Sequence, residues 1–150
     1  MSRVSAAAAL SQILHEALTA DSDVVVLGET VGRSHGIQGT TKGLSDTFGA
    51  QRVIDTPIAD RATLGLAVGL ALGGKTCVVE LSGSGRIPAV FEVLTHAVAI
   101  AKQREFSLNL LIRIPCGGQA GDRIDRSASE LLATLDGCEV ICPADAGGLV

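Results

Sequence analysis

The sequence lacks several features that would place it in a well-defined functional class. Its basic side chains form no cluster beyond Lys102-Gln103-Arg104, and the formal net charge is −4. Nucleic acid is therefore not expected as a partner. No stretch reaches the roughly 18 uninterrupted apolar residues of a membrane span, so no membrane partner is predicted. No two of the three histidines have metal-ligand spacing, and no metal site is predicted in this chain.

Cysteine usage and the N-terminus also exclude some classes. The four cysteines form no C-x-x-C pair, so neither a zinc knuckle nor a redox dithiol is indicated. Packed, reduced thiols are expected instead at Cys77, Cys116, Cys138 and Cys142. The alanine-rich start is interrupted by Gln12, His15 and Glu16 before it forms a secretory core. The expected location is cytoplasmic.

The remaining composition predicts one globular α/β domain over residues 1–150. Hydrophobic residues make up 47% and charged residues 19%, a composition typical of a folded chain with one core. Helical periodicity alternates with short apolar runs along the chain. Helices are predicted at 4–19, 44–48, 59–72, 88–104, 127–135 and from 145. Strands are predicted at 23–28, 52–55, 76–81, 108–114 and 139–142. This alternation indicates a parallel β-sheet with helices on both faces.

The predicted helix at 59–72 carries glycine at every fourth position, Gly65, Gly69 and Gly73. Because glycine weakens helices, this spacing indicates a smooth face against which another backbone packs closely.

Three polar segments follow predicted strands, where ligands of such sheets bind. They are residues 28–30, 55–60 and 82–86. Asp60 falls in the first turn of a helix, where an acid is favoured by the helix dipole. Taken without the surrounding residues, Asp60 is better explained as a helix cap.

The segment Arg52-Val53-Ile54-Asp55-Thr56-Pro57-Ile58-Ala59-Asp60, followed by Gly65-Leu66-Ala67-Val68-Gly69, resembles the β subunits of pyruvate and branched-chain 2-oxoacid dehydrogenases. Shorter matches occur in the same order, at residues 26–29, 41–44, 48–49, 79–80, 112–115 and 140–143. The resemblance covers nearly the whole chain and implies the transketolase-like, pyrimidine-binding domain of the thiamine-diphosphate-binding fold. The family's C-terminal domain has no counterpart in residues 1–150.

The resemblance implies that this domain grips the aminopyrimidine ring of thiamine diphosphate. In the family a glutamate hydrogen-bonds the ring nitrogen, and the matching residue here is Asp60, the implied catalytic residue. Glu29 matches a second family acid near the ring, although capping of a strand end would also explain it. The implied cofactor-binding set is Glu29, Ile58, Ala59, Asp60, Ser82 and Arg86.

Three positions depart from the family pattern. Asp60 is one methylene shorter than glutamate, a retreat of about 1.5 Å if the backbone does not move, and catalytic geometry tolerates little misplacement. The family has aromatic side chains in the loop after Glu80, whereas residues 81–86 contain none and the whole chain has no Trp or Tyr. Arg86 in that loop is expected to be solvated, with binding of an anionic group as the alternative. A family His-Ser pair is replaced by Arg126-Ser127.

The resemblance also implies partners. The family's Gly-Asp-Gly…Asn signature for the magnesium ion has only Gly121-Asp122-Arg123 as its nearest string. Mg²⁺ and the diphosphate are therefore expected to be held mainly by an alpha-type subunit, in a homodimer or heterotetramer. The expected function is that of a component of a thiamine-diphosphate-dependent 2-oxoacid dehydrogenase. The alternatives are a degenerate, non-catalytic homologue acting as a scaffold or partner subunit, and half of a split transketolase-like enzyme.

Overall fold

The computed structural model describes residues 5–115 and 129–143. In this part of the chain four parallel strands form one sheet in the order β2-β1-β3-β4. The strands are β1 (Val24–Glu29), β2 (Val53–Thr56), β3 (Thr76–Glu80) and β4 (Leu110–Arg113). The central strands β1 and β3 are buried along nearly their whole length, which explains their uninterrupted apolar sequences.

Four of the helices in the described residues cover the two faces of this sheet, as the sequence predicted. They are α1 (Ala6–Ala20), α2 (Leu44–Phe48), α3 (Asp60–Leu72) and α4 (Ile87–Arg104). Successive strand residues point to opposite faces, so Val25 and Leu27 pack with α3 and α4, while Val24 and Val26 pack with α1 and α2. Local signals fix the helix ends. Ser5 caps α1 by accepting a hydrogen bond from the Ala8 amide at 3.2 Å, in agreement with the capping preference of serine.

The predicted strand at 139–142 is wrong. These residues have no regular secondary structure, although Cys138 and Val140 pack against the core beside α3 and α4. The apolar pattern correctly indicated that Val140 packs against the core, but a strand also needs a hydrogen-bonded partner, and the segment forms no ladder with the described residues. Of the helix predicted at 127–135, the described part is helical over 129–132, so the helix ends three residues earlier than predicted. The helix predicted from Asp145 lies outside the described residues.

The cysteines do not share one environment. Cys77 is fully buried in β3, Cys138 is partly buried and Cys142 is exposed, so the expectation of packing is wrong for Cys142. Burial raises the pKa of the Cys77 thiol, which keeps it protonated and unreactive. Cys116 lies outside the described residues.

Candidate active site

The carboxyl ends of the four strands meet along one edge of the sheet. Glu29 of β1 is in register with Thr56 of β2, and Gly28 with Glu80 of β3. Glu80 is in turn in register with Arg113 of β4. Because ligands of open parallel sheets bind beyond this edge, it is the first place to look for a functional site.

Glu29 ends β1 at this edge, as predicted. Its Oε1 atom is buried and has no hydrogen-bond partner among the described residues. An unpaired buried polar group costs on the order of 1–3 kcal/mol, so this oxygen is suited to accept a hydrogen bond from a ligand. Gly28 is needed just before it, because a Cβ there would overlap the Glu80 carbonyl oxygen on β3.

The loop that follows Glu29 is fixed on one side by Asp55 at the end of β2. The Asp55 carboxylate accepts hydrogen bonds from the backbone amides of Gly32 at 2.7 Å and Arg33 at 3.1 Å. The Arg33 side chain adds an ion pair at 3.3 Å, although it is largely exposed. This support offsets backbone strain, since three non-glycine residues of the loop have positive φ: Thr30, His35 and Gln38.

Glu80 fixes the other side of the same loop. Its Oε1 accepts a hydrogen bond from the Ile37 amide at 2.9 Å, and both carboxylate oxygens lie 3.2 Å from the Thr40 hydroxyl. Arg113 forms an ion pair with Glu80 at 2.5 Å and donates a hydrogen bond to Thr40 at 2.9 Å. Glu80 is only 3% exposed, so its charge is compensated inside the protein. Two carboxylates from the strands flanking β1 thus hold the backbone that follows Glu29.

Asp60 opens α3 but does not cap it. Ala59 is the N-cap residue and makes no side-chain hydrogen bond, so the capping explanation for Asp60 is not supported. The Asp60 side chain is only 9% exposed, and its Oδ2 lies 3.5 Å from Nη1 of Arg86. The Arg86 side chain is 46% exposed, so it is partly solvated and also reaches a carboxylate.

The other predicted ligand-binding residues have unequal environments. The Ser82 Oγ atom is buried without a hydrogen-bond partner in the described chain, like Oε1 of Glu29. Ala59 is partly exposed. Ile58 is 74% exposed and contributes nothing to the core. The turn that carries it is held by a hydrogen bond from Thr63 Oγ1 to Thr56 Oγ1 at 3.0 Å.

Comparison with known proteins agrees with this fold. The sequence profile of the transketolase pyrimidine-binding domain matches residues 2–149. The chain belongs to this family. The resemblance to β subunits of 2-oxoacid dehydrogenases that the sequence indicated is thereby confirmed at the level of the domain.

Curated relatives of this pyrimidine-binding domain include dehydrogenase subunits. The β subunit of the pyruvate dehydrogenase E1 component from Leifsonia xyli is 36% identical over 91% of this chain and 42% of its own length. The 3-methyl-2-oxobutanoate dehydrogenase β subunit from Mycobacterium tuberculosis is 37% identical over 93% and 41%. The 2-oxoisovalerate dehydrogenase β subunit from Bacillus subtilis is 33% identical over 100% and 48%. The chain thus spans less than half the length of these relatives.

A solved structure shares the fold of the domain. It is a split-gene transketolase described as an inactive β4 tetramer, with a TM-score of 0.74 and 20% identity. The match covers 98% of this chain and 46% of that one. At this identity the likeness shows the fold alone, and the predicted α/β class with a parallel sheet is confirmed.

Sequence reasoning missed three residues that organise the edge of this domain. The sequence assigns no supporting role to Asp55, Glu80 or Arg113, whereas in the structure they hold the loop after Glu29. A signal was available, because each is a charged residue at the end of an apolar strand. Charged groups are seldom buried unless they are paired, so each implied a partner.

Some predicted features lie elsewhere. The pair Arg126-Ser127 and the string at 121–123 are outside the described residues. His35 is exposed in the loop after Glu29. The described residues contain no group of three or more potential metal ligands and no helix long and apolar enough to cross a membrane. Two open grooves, of about 720 and 430 Å³, lie beside α1 and beside Asp55, and neither is lined by Glu29, Asp60 or Ser82.

Proposed function

We propose that this chain is the part of a thiamine-diphosphate-dependent 2-oxoacid dehydrogenase that binds the aminopyrimidine ring of the cofactor. The observation that carries the proposal is a pair of buried polar atoms at the carboxyl edge that find no hydrogen-bond partner within residues 5–115 and 129–143, Oε1 of Glu29 and Oγ of Ser82. Both belong to segments beside the nearly buried Asp60 in the fold of a pyrimidine-binding domain. An aminopyrimidine offers both donors and acceptors, so it suits this set of groups.

Asp60, Glu29 and Ser82 would make different hydrogen bonds to the ring. The Asp60 carboxyl would hydrogen-bond a ring nitrogen, and its low exposure would shield that bond from water. Glu29 Oε1 would accept a hydrogen bond from the ligand, and Ser82 Oγ can donate or accept one. When bound, thiamine diphosphate supplies the electron sink for decarboxylation of a 2-oxoacid. The chain's own contribution is to orient the ring. Asp55 and Glu80 assist by fixing the loop that follows Glu29.

The proposed site is completed by an alpha-type subunit. Asp60 and Ser82 line neither of the two grooves described above, and the neighbouring Ile58 is 74% exposed. The relatives of this chain are named as β subunits, which supports a separate subunit at this edge. We propose that the partner holds the diphosphate and Mg²⁺, because this edge offers carboxylates already engaged by the protein or assigned to the ring.

A second contact surface is proposed on α3. Gly65 and Gly69 are exposed, and a Cβ on either would meet no atom within 4 Å. The smooth face predicted from their spacing is therefore open in this chain. Leu66 and Leu72, on the same helix, are about half exposed. We propose that this glycine face packs against another subunit in a homodimer or heterotetramer.

Calorimetric titration with thiamine diphosphate and Mg²⁺ tests the proposal directly. The chain is titrated alone and mixed with an alpha-type subunit of the same organism, and binding is expected in the mixture. Glu29→Gln should weaken it, whereas Glu92→Gln, a change of the same kind on the exposed side of α4, should not. Absence of binding in both titrations would refute the proposed function.

A degenerate, non-catalytic role is the second candidate. Asp60 is shorter than the family glutamate and already has Arg86 as an ionic partner. Asp60→Glu distinguishes the two candidates. In an active site with altered geometry it should change turnover or cofactor affinity, whereas in a degenerate domain it should change neither. The third candidate is half of a split transketolase-like enzyme. Ketol transfer by the same mixture of subunits, in place of 2-oxoacid oxidation, would favour this candidate.

A further inference from the structure

Asp60 and Arg86 come from separate segments that begin side by side. Asp60 is the first residue of α3 and Arg86 immediately precedes α4, and these two helices pack against each other on one face of the sheet. The carboxylate is almost enclosed, while the guanidinium reaches it from the solvent side, with 3.5 Å between Oδ2 and Nη1. Arg86 is the ionic partner that the described chain provides for this carboxylate.

This pairing conflicts with the use of Asp60 for ligand binding. The ion pair with a guanidinium uses the charged carboxylate, which only accepts hydrogen bonds, whereas an unprotonated ring nitrogen is itself an acceptor and needs the protonated carboxyl as its donor. The Arg86 side chain is 46% exposed, so its guanidinium has solvent into which it can move when it leaves Asp60.

We propose that Arg86 lowers the affinity of this edge for neutral rings by competing with the ligand for Asp60. A neutral aminopyrimidine binds only after the Arg86 guanidinium has moved away from the carboxylate. The affinity for such rings is lower because the free energy of the Asp60–Arg86 ion pair is lost when the ring binds. This inference rests on the proposed function, because it concerns the same carboxylate.

The test is a cycle of variants titrated with one neutral probe. The probe is the free hydroxymethyl-aminopyrimidine fragment of thiamine, which has no diphosphate and no permanent charge. Its dissociation constant is measured from amide chemical shifts for the wild type, Arg86→Gln, Asp60→Asn and the double variant. The same spectra verify that each variant is folded. Thiamine diphosphate in the mixture with the alpha-type subunit provides a second readout for the same four forms.

Arg61→Gln is the matched control. Arg61 is the residue next to Asp60, is mostly exposed and pairs with Glu92 at 2.6 Å. Its replacement removes one positive charge at the start of α3, next to Asp60 in sequence, and leaves the Asp60–Arg86 ion pair in place. Since partly exposed ion pairs are weak, Arg86→Gln is expected to tighten binding of the probe by about 1.5- to 5-fold, and Arg61→Gln to leave it unchanged.

The cycle separates this inference from the proposed function. Tighter binding by Arg86→Gln that disappears in the Asp60→Asn background supports competition at Asp60. If Arg86→Gln binds the probe as tightly as the wild type or more weakly, the inference is overturned. It is also overturned if the gain in affinity from Arg86→Gln persists in the Asp60→Asn background. If neither the fragment nor thiamine diphosphate binds any form, with or without the alpha-type subunit, the proposed function fails as well.

Discussion

Replacement of Arg113 by methionine is the most informative perturbation of the supports behind the candidate site. Arg113 Nη2 lies 2.5 Å from Glu80 Oε1 and donates a hydrogen bond to Thr40. Methionine fills similar volume but carries no charge. The variant therefore leaves the Glu80 carboxylate, 3% exposed, with the Ile37 amide and the Thr40 hydroxyl as its hydrogen-bond donors.

The expected loss follows from the cost of an uncompensated buried charge. Breaking a buried ion pair by removing one partner typically lowers the free energy of unfolding by about 3–5 kcal/mol. A domain of this size loses about 2–4 °C of melting temperature per kcal/mol, so the expected drop is about 6–20 °C. The double variant Glu80→Gln/Arg113→Met should lose less than the sum of the two single variants, because no buried charge remains.

Urea denaturation followed by far-ultraviolet circular dichroism measures these differences. Tryptophan fluorescence is not an option, because the chain contains no Trp. Arg61→Met is the control, since it breaks an exposed ion pair and should change the free energy of unfolding by less than about 1 kcal/mol. A loss no larger than that for Arg113→Met would refute the argument that Glu80 depends on Arg113 for compensation.

Three further predictions concern other parts of the fold. Gly28→Ala should cost about 1–3 kcal/mol of unfolding free energy, because its Cβ overlaps the carbonyl oxygen of the paired strand; unchanged urea midpoints would contradict this. Gly65→Ala with Gly69→Ala should stabilise the isolated chain by up to about 1 kcal/mol per site yet weaken its assembly in light scattering; unimpaired assembly would remove α3 from the interface. The hydrogen bond from Lys75 holds the pKa of Asp23 below its usual range, so its stabilisation is present at neutral pH and is lost as pH falls below about 4. Lys75→Met should therefore differ from the wild type in urea titrations near neutral pH and match it at about pH 2; a difference that persists in acid would contradict the linkage.

Local sequence was sufficient for most of the elements. The bounds predicted for α2 agree fully with the structure. Those of β1, α3, β3 and α4 differ by one residue at one or both ends. The spacing of apolar residues and the residue types at each end determine these elements, because helices and buried strands have different apolar spacing. In the segment at 139–142 the apolar spacing led to a wrong prediction of a strand. Its apolar pattern reports burial, and only the presence of a pairing edge could have made it a strand.

The polar segments after the predicted strands include Glu29, Asp60 and Ser82, and in the structure these residues lie at or just after the carboxyl ends of β1, β2 and β3, whereas their role in cofactor binding stays a prediction. The sequence did not predict the contacts and the exposure of the individual side chains. Arg86 was expected to be mainly solvated, yet it approaches Asp60, because the starts of α3 and α4 are brought together by packing of the two helices. Likewise, the exposure of Ile58 depends on what covers the turn and cannot be read from its apolar character.

The sequence by itself thus determined the alternating elements, the parallel sheet and the edge at which polar residues collect. Tertiary structure decided which charges meet there. Glu80 and Arg113 are 33 residues apart, and Asp55 lies 23 residues from Gly32, so no local pattern links them. Their pairing depends on strand order, because parallel neighbours align the ends of strands that are distant in sequence.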